Sequence, residues 1–69
     1  MPLTMAQIGK ENYIVKIGGK AETRQFLNNL GFVVGGAVIV ISEISGNVIV
    51  NVKESRVAIS HEMASKIMI

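Results

Sequence analysis

The hydrophobic pattern of this chain predicts short β-strands separated by turns. Runs of β-branched residues, partly alternating with polar ones, are typical of half-buried strands. The predicted strands are Asn12 to Ile17, Ala37 to Ile44, Asn47 to Lys53, Arg56 to Ser60 and Ile67 to Ile69. Turn residues at Ser45-Gly46-Asn47 and Glu54-Ser55 connect the second, third and fourth strands into a predicted meander.

One segment has helical spacing instead. Within Ala21 to Leu30, the apolar residues Phe26, Leu27 and Leu30 recur at i, i+1 and i+4. Gly31 follows at the position where a left-handed residue commonly ends a helix. The sequence therefore predicts one substantial helix inserted between the first strand and the meander.

Strand alternation also assigns faces to the predicted meander. Val38 and Val40 share the face that would fill the interior, whereas Ile39, Ile41 and Ile49 fall on the opposite face, where a solvated strand carries polar residues. Either the chain covers this outer face itself or a partner does. Because only one helix is available as cover, we expect part of this face to be exposed.

The number of predicted strands indicates the architecture of the domain. Five short strands with one helix favour a small, strongly bent β-barrel, since closure removes free sheet edges.

The length of 69 residues suggests a single domain, 1–69, and there are no cysteines to form disulfides. No apolar run is long enough to cross a bilayer, and no signal peptide is recognisable. We therefore expect a soluble cytoplasmic protein that does not insert into membranes.

Charge gives no indication of a nucleic-acid partner. The formal net charge is +2, and the basic residues are scattered among five acidic ones without forming a cluster. Nucleic-acid-binding domains usually carry a concentrated basic patch. We therefore expect no nucleic-acid partner.

Candidate chemical motifs are weak. Ser60-His61-Glu62 could be a partial metal shell, a hydrolytic set, or the start of a helical turn from His61 to Lys66. Two adjacent residues supply too few metal ligands, and neighbours in sequence point in different directions without a nucleophile elbow. A turn capped by Ser60 is the favoured interpretation. Gly18-Gly19-Lys20 lacks the spacing of a phosphate loop, so no catalytic residue, cofactor or metal site is predicted.

The pattern L-x-x-L-G-F-x-x-G-x-x-V-x-V, from Leu27 to Val40, resembles the FeoA family of small ferrous-iron transport proteins. Pro2-Leu3 near the start and the ending R-V-A-I-S-H-E-M-A-S-K-I-M-I also fit, so the resemblance covers nearly the whole chain. Val34 stands where the family usually has proline, which would pre-set the loop after the helix. We therefore predict a looser loop between Gly31 and Gly35.

The resemblance implies a mainly β, SH3-like barrel of about five strands with an inserted helix and a short helical turn near the C-terminus. It also implies a non-enzymatic role in ferrous-iron uptake, through binding to FeoB, the membrane transporter that carries a GTP-binding domain. Similar domains end some metal-dependent transcriptional repressors, which gives an alternative reading as a regulatory interaction domain. Such a domain normally follows a DNA-binding region; because the sequence starts at Met1, we expect no such region here, which disfavours this alternative.

The predicted partner surface combines the helix, the following loop and the outer face of the meander. Phe26 and Leu27 are adjacent, so one of them could lie at the helix edge and reach a partner, unless the whole apolar stripe packs on the barrel. The outer-face isoleucines could instead pair two copies into a homo-oligomer. The candidate partner-binding residues are Arg24, Leu27, Asn28, Phe32, Val34, Ile39 and Ile49.

Overall fold

The computed structural model describes residues 1–69 and contains six strands, two α-helices and one 3-10 turn. The 3-10 turn spans Leu3–Met5, and the helices are α1 (Ala21–Leu30) and α2 (His61–Ala64). The strands are β1 (Glu11–Tyr13), β2 (Lys16–Ile17), β3 (Ala37–Ile44), β4 (Asn47–Val52), β5 (Ser55–Ser60) and β6 (Ile67–Met68). The mainly β class with one inserted helix is confirmed, as are the bounds of α1 and β3. Neither helix is long and apolar enough to span a membrane.

The first predicted strand is divided in two, so the prediction of one continuous strand from Asn12 to Ile17 was wrong. β1 pairs antiparallel with β3, whereas β2 pairs antiparallel with β6. Between them, Ile14 donates its N–H to the carbonyl of Gly36 at 2.9 Å and Val15 donates to the carbonyl of Met68 at 2.8 Å. The chain changes hydrogen-bonding partner at this point and thereby crosses from one sheet to the other.

Two antiparallel sheets result, one with strand order β1-β3-β4-β5 and one formed by β2 and β6. The chain ends meet beside β6. The Met1 amino group donates to the carbonyl of Ile69 at 2.9 Å, and the Ile69 N–H donates to the carbonyl of Met1 at 2.7 Å. β6 is thus bordered by β2 on one side and by the N-terminus on the other, where Pro2 bridges to Met68.

The interior is filled by one cluster of aliphatic residues and a single phenylalanine. Its buried members are Leu3, Ile14, Ile17, Leu27, Phe32, Val38, Val40, Val48, Val50, Val52, Ile59, Ala64 and Ile67. The inward assignment of Val38 and Val40 is confirmed, and the alternating valines of β4 are buried with them. Val57 of β5 is only half-buried at the edge of the cluster.

The outer face departs from simple alternation because β3 contains a bulge. The register runs from Val40 opposite Val50 to Ser42 opposite Ile49, which leaves Ile41 as an extra residue between two ladder pairs. Ile39 and Ile49 do lie opposite the buried valines, but they are half-buried and not fully exposed. Ile41 is also half-buried, and as the extra residue it belongs to neither regular row.

Both hairpins of the meander close with two-residue turns whose central residues have positive φ. The first is Ser45-Gly46, with φ of 49° and 82°, and the second is Lys53-Glu54, with φ of 49° and 64°. This conformation is that of type I′ turns, whose twist matches that of the flanking strands. The second turn lies one residue earlier than predicted, so β5 begins at Ser55.

Candidate functional site

The C-terminus of α1 forms one wall of the candidate site. Gly31 adopts φ 110° and ψ 0° directly after the helix, and its N–H donates to the carbonyl of Asn28 at 3.0 Å. Only glycine adopts this region without strain from a Cβ atom. The predicted left-handed cap is therefore confirmed, and it turns the chain sharply out of the helix.

The loop after Gly31 contains a tight turn at Val33 to Gly36. Gly36 donates its N–H to the carbonyl of Val33 at 2.9 Å, and Gly35 has φ 87°, which is the geometry of a type II turn. Gly35 also donates to the carbonyl of Ile14 at 2.7 Å, so the loop is tied to the crossing between the two sheets. Val34 occupies the turn's outer corner with 65% of its surface exposed.

Beside this loop, the outer face of the sheet forms an open cavity of about 300 Å³. It is lined by Glu11, Gly31, Gly36, Ala37, Ile39, Asn51, Lys53 and Glu54. Its floor comes from a cross-strand row, because Glu11 on β1 pairs with Ile39 on β3, which pairs with Asn51 on β4. Directly paired residues project to the same face of an antiparallel sheet, so the row places an apolar side chain between two polar ones.

The Lys53-Glu54 turn closes one end of the cavity against the helix. A Cβ atom placed on Gly31 would lie 3.5 Å from Cδ of Lys53 and 3.7 Å from its Cβ. The aliphatic part of Lys53 therefore runs alongside Gly31 and connects the β4–β5 turn to the end of α1. Long basic side chains commonly pack their methylene groups on a surface while the charged group stays in water.

The cavity brings two carboxylates, one ammonium group and one amide to the border of an apolar floor. Glu11 also accepts a hydrogen bond from the Tyr13 hydroxyl at 3.0 Å, and this bond, with the negative charge of Glu11, raises the pKa of Tyr13. None of the lining residues is a serine, cysteine or histidine. The arrangement is suited to holding an aliphatic side chain together with a hydrogen-bond donor or a basic group.

The structure brings some of the predicted partner-binding residues together and separates others. Ile39 lies in the cavity, Val34 lies in the adjoining loop, and Ile49 lies on the same sheet face, paired with Ser42 on one side and Ala58 on the other. Their grouping on one side of the molecule agrees with the predicted surface. Their binding to a partner stays a prediction.

The helical residues are arranged differently from the prediction. Leu27 and Phe32 have no exposed surface, so their side chains cannot form part of a contact surface, and their selection as contact residues is corrected. Arg24 and Asn28 are exposed, but Arg24 donates to the carbonyl of Gly19 at 3.1 Å, near the start of α1 and away from the cavity. Of the two adjacent residues Phe26 and Leu27, Phe26 is the one at the helix edge, with 47% of its surface exposed.

Sequence reasoning missed four residues of the cavity: Glu11, Asn51, Lys53 and Glu54. Each is polar and none belongs to a recognisable motif. The strand register could have found Asn51, since a two-residue turn fixes which residues of β3 and β4 face each other. The place of Glu11 in the cavity depends on the pairing of β1 with β3. These two strands are not joined by a hairpin, since β2 and α1 lie between them in the chain.

The other candidate motifs have local structural roles. The Ser60 hydroxyl accepts a hydrogen bond from the Met63 N–H at 3.2 Å, which confirms Ser60 as the N-cap of α2. α2 itself is shorter than predicted and ends at Ala64. No group of three or more His, Cys, Asp and Glu side chains is placed to hold a metal ion. Gly19, at φ 93°, lies in the turn that precedes α1.

Comparison with known proteins gives a consistent picture. A family model described as the FeoA domain matches residues 1–69. A protein of Methanocaldococcus jannaschii with the provisional name Fe(2+) transport protein A is 35% identical over 68 residues, which cover 99% of this chain and 83% of that protein.

Solved structures extend the similarity to the fold. A crystal structure of an iron uptake regulatory protein, FeoA, superposes with a TM-score of 0.90 at 28% identity, covering 99% of this chain and 92% of that one. The FeoA of Stenotrophomonas maltophilia, solved with zinc and described as an SH3 domain protein, gives a TM-score of 0.83 at 19% identity over 99% of this chain and 87% of that one. A manganese-dependent transcriptional repressor matches 97% of this chain with 39% of its own, with a TM-score of 0.86 at 16% identity. The SH3-like fold is thereby confirmed.

Proposed function

The chain belongs to the FeoA family of ferrous-iron transport, and from this premise we propose that it is a non-enzymatic cytoplasmic accessory protein that binds and modulates a FeoB-type transporter. The observation that carries the proposal is the cavity beside the helix C-terminus, where an apolar floor is bordered by charged groups. A surface of this kind suits recognition of another protein, because apolar contact supplies affinity and the charged rim supplies orientation.

We assign the contact to the cavity together with the loop corner and the neighbouring outer face. Ile39 supplies the apolar floor, and Val34 adds an exposed apolar side chain beside it. Glu11 and Glu54 border the floor with negative charge, so the complementary segment of the transporter carries an aliphatic side chain flanked by a lysine or arginine. Lys53 lies beside Glu54 in the same turn and favours an acidic residue next to that basic one.

Retention on a column tests this function directly. The protein is immobilised on resin and exposed to a detergent extract that contains the transporter, at low and then moderate salt. We expect the transporter to be retained, with retention weakening as salt rises, because exposed charge pairs are screened. An absence of retention at both salt concentrations contradicts the proposal.

A matched pair of variants locates the contact. Ile39→Ser changes the cavity floor, whereas Ile8→Ser makes the same substitution at an exposed residue that precedes β1 and does not line the cavity. We expect Ile39→Ser to weaken binding by about tenfold, which corresponds to about 1.4 kcal/mol, and Ile8→Ser to leave it unchanged. Equal losses in both variants contradict this location. Unfolding curves of both variants check that the fold is retained.

The similarity in fold to a transcriptional repressor supports a second candidate, a regulatory interaction domain. The two candidates predict different partners. A regulatory domain would bind a DNA-binding protein or alter its operator affinity, whereas the transport role requires the membrane transporter. Measuring operator binding by a metal-dependent repressor from the same cells, with and without this chain, separates them.

A further inference from the structure

The main sheet ends in a strand whose outer edge has no β partner. β5 (Ser55–Ser60) is the last strand in the order β1-β3-β4-β5, and its only ladder is the one with β4. An exposed strand edge is a template for pairing with another strand, because its N–H and C=O groups remain without ladder partners.

The Lys53-Glu54 turn determines which backbone groups of β5 point outward. In a two-residue hairpin, the residues that flank the turn exchange hydrogen bonds, and such pairs then alternate along the ladder. Val52 pairs with Ser55 beside the turn, so Ser55, Val57 and Ile59 bond to β4. The N–H and C=O groups of the intervening residues, Arg56 and Ala58, therefore point to the free edge.

From this edge we propose that two copies of the chain associate through β5, antiparallel, with Ala58 facing Ala58 across a two-fold axis. In this register the two alanines exchange N–H···O=C hydrogen bonds, and Arg56 of each copy faces Ser60 of the other. The four-stranded sheet of each copy thus continues into that of the other. The same strand edge serves both copies, as a two-fold interface requires.

Charge and hydrogen bonding select this register over its neighbours. Centring the pair on Arg56 would place two arginines directly opposite each other, and like charges in that arrangement are destabilising. Centring it on Val57 would align backbone groups that already bond to β4. The register centred on Ala58 avoids both problems, and it sets Val57 of one copy beside Ile59 of the other on the core side.

The packing of β5 is compatible with such an interface. Arg56, Ala58 and Ser60 are exposed, and Val57 is half-buried at the margin of the core. Ala58 has only a methyl group, so its side chain does not hinder the approach of a second strand. This proposal does not depend on transporter binding, because it rests on the backbone edge of β5, and no residue of β5 lines the cavity.

Opposite charges at position 58 provide the decisive test. Sedimentation equilibrium of the wild-type chain should give a mass that rises towards twice the monomer mass with concentration. Ala58→Lys and Ala58→Glu should each remain monomeric, since each would place like charges face to face, whereas an equal mixture of the two should dimerise. A wild-type chain that is monomeric at every concentration overturns the proposal and leaves the edge to a strand of another protein. Dimers of Ala58→Lys alone also overturn it.

Cross-linking checks the register. The chain has no cysteine, so Ala58→Cys introduces a single thiol at the two-fold axis, where the Cα separation of about 5.5 Å in a hydrogen-bonded pair allows a disulfide. Glu43→Cys is the control, because Glu43 is also exposed but lies on β3, two strands away from the free edge of β5. We expect rapid disulfide dimers for Ala58→Cys only. Equal rates in the two variants overturn the register.

Discussion

Phe32 donates its backbone N–H to the carbonyl oxygen of Leu27 at 2.9 Å, and both side chains are fully buried. Together with the bond from Gly31 to Asn28, this bond completes the hydrogen-bond pattern of a Schellman motif. Burial of the apolar residues on either side of the turn is a common companion of this motif. The helix end is therefore fixed to the core, and so is Gly31, which lines the cavity of the candidate site.

Replacing Gly31 by alanine should destabilise the domain. At φ 110°, a Cβ atom is strained whatever space surrounds it, and the left-handed conformation costs an L-residue about 1–2 kcal/mol. We expect the free energy of unfolding, measured by urea denaturation, to fall by that amount. Gly31→Asn should lose less, because asparagine tolerates left-handed geometry better. If Gly31→Ala unfolds at the same urea concentration as the wild type, the cap does not limit stability.

The helix and its cap could be predicted from the sequence because their signals are local. The apolar spacing of Phe26, Leu27 and Leu30 identifies the helix, and Gly31 locates its C-terminal end. The rotation of the helix about its axis was not predictable in the same way. It is set by contacts with distant strands, and those contacts bury Leu27 and leave Phe26 half exposed.

The cavity could be predicted only in part, because it depends on pairings that adjacent residues do not determine. Ile39 was identified because it is apolar where alternation predicts a polar residue. Its neighbours Glu11 and Asn51 are ordinary polar residues whose importance appears only when three strands are placed side by side. The bulge at Ile41 likewise follows from the ladder and has no signature in composition.

Val34→Pro should stabilise the domain. Val34 is the first central residue of the type II turn, where proline is favoured, and its N–H makes no backbone hydrogen bond that proline would remove. Proline lowers the conformational entropy of the unfolded chain, which raises the free energy of unfolding by about 0.4–1 kcal/mol. Thermal or urea unfolding measures the gain, and Val34→Ala serves as the control that removes the side chain without the restriction. A loss of stability in Val34→Pro would show that the turn requires another φ at this residue.

Tyr13 should ionise above its ordinary pKa of about 10. The hydrogen bond to Glu11 and the charge of that carboxylate both favour the neutral phenol, so the pKa is raised. Absorbance of the phenolate follows this ionisation without interference, since the chain has one tyrosine and no tryptophan. We expect the midpoint to move back towards the ordinary value in Glu11→Gln. An unchanged midpoint in that variant would exclude Glu11 as the cause.

The raised pKa of Tyr13 also lowers the stability of the fold at high pH. Because the folded-state pKa lies above the unfolded value, the stabilisation is fully present below about pH 10 and is lost as the pH rises through the folded-state pKa. The wild-type chain should therefore lose stability more steeply than Glu11→Gln above pH 10. The difference should be small, since Tyr13 is exposed. Urea denaturation at a series of alkaline pH values measures both slopes.

The two hairpin turns allow stability and binding to be separated. Glu54 has φ 64° in the second turn and Ser45 has φ 49° in the first, although type I′ turns favour asparagine followed by glycine. Glu54→Gly and Ser45→Asn should therefore each raise the free energy of unfolding, Glu54→Gly by about 1 kcal/mol. Only Glu54 borders the cavity, so only Glu54→Gly also removes a charge from the proposed contact.

Measuring how much transporter each variant retains on the column shows which of the two turns takes part in binding. We expect Ser45→Asn to retain the transporter as the wild type does, and Glu54→Gly to retain less of it, with weaker dependence on salt. Strained backbone at a binding site is commonly maintained by the function of the residues that carry it. If Glu54→Gly is more stable and binds as well as the wild type, Glu54 has no part in the contact, and Glu11 is the carboxylate that remains to orient the transporter.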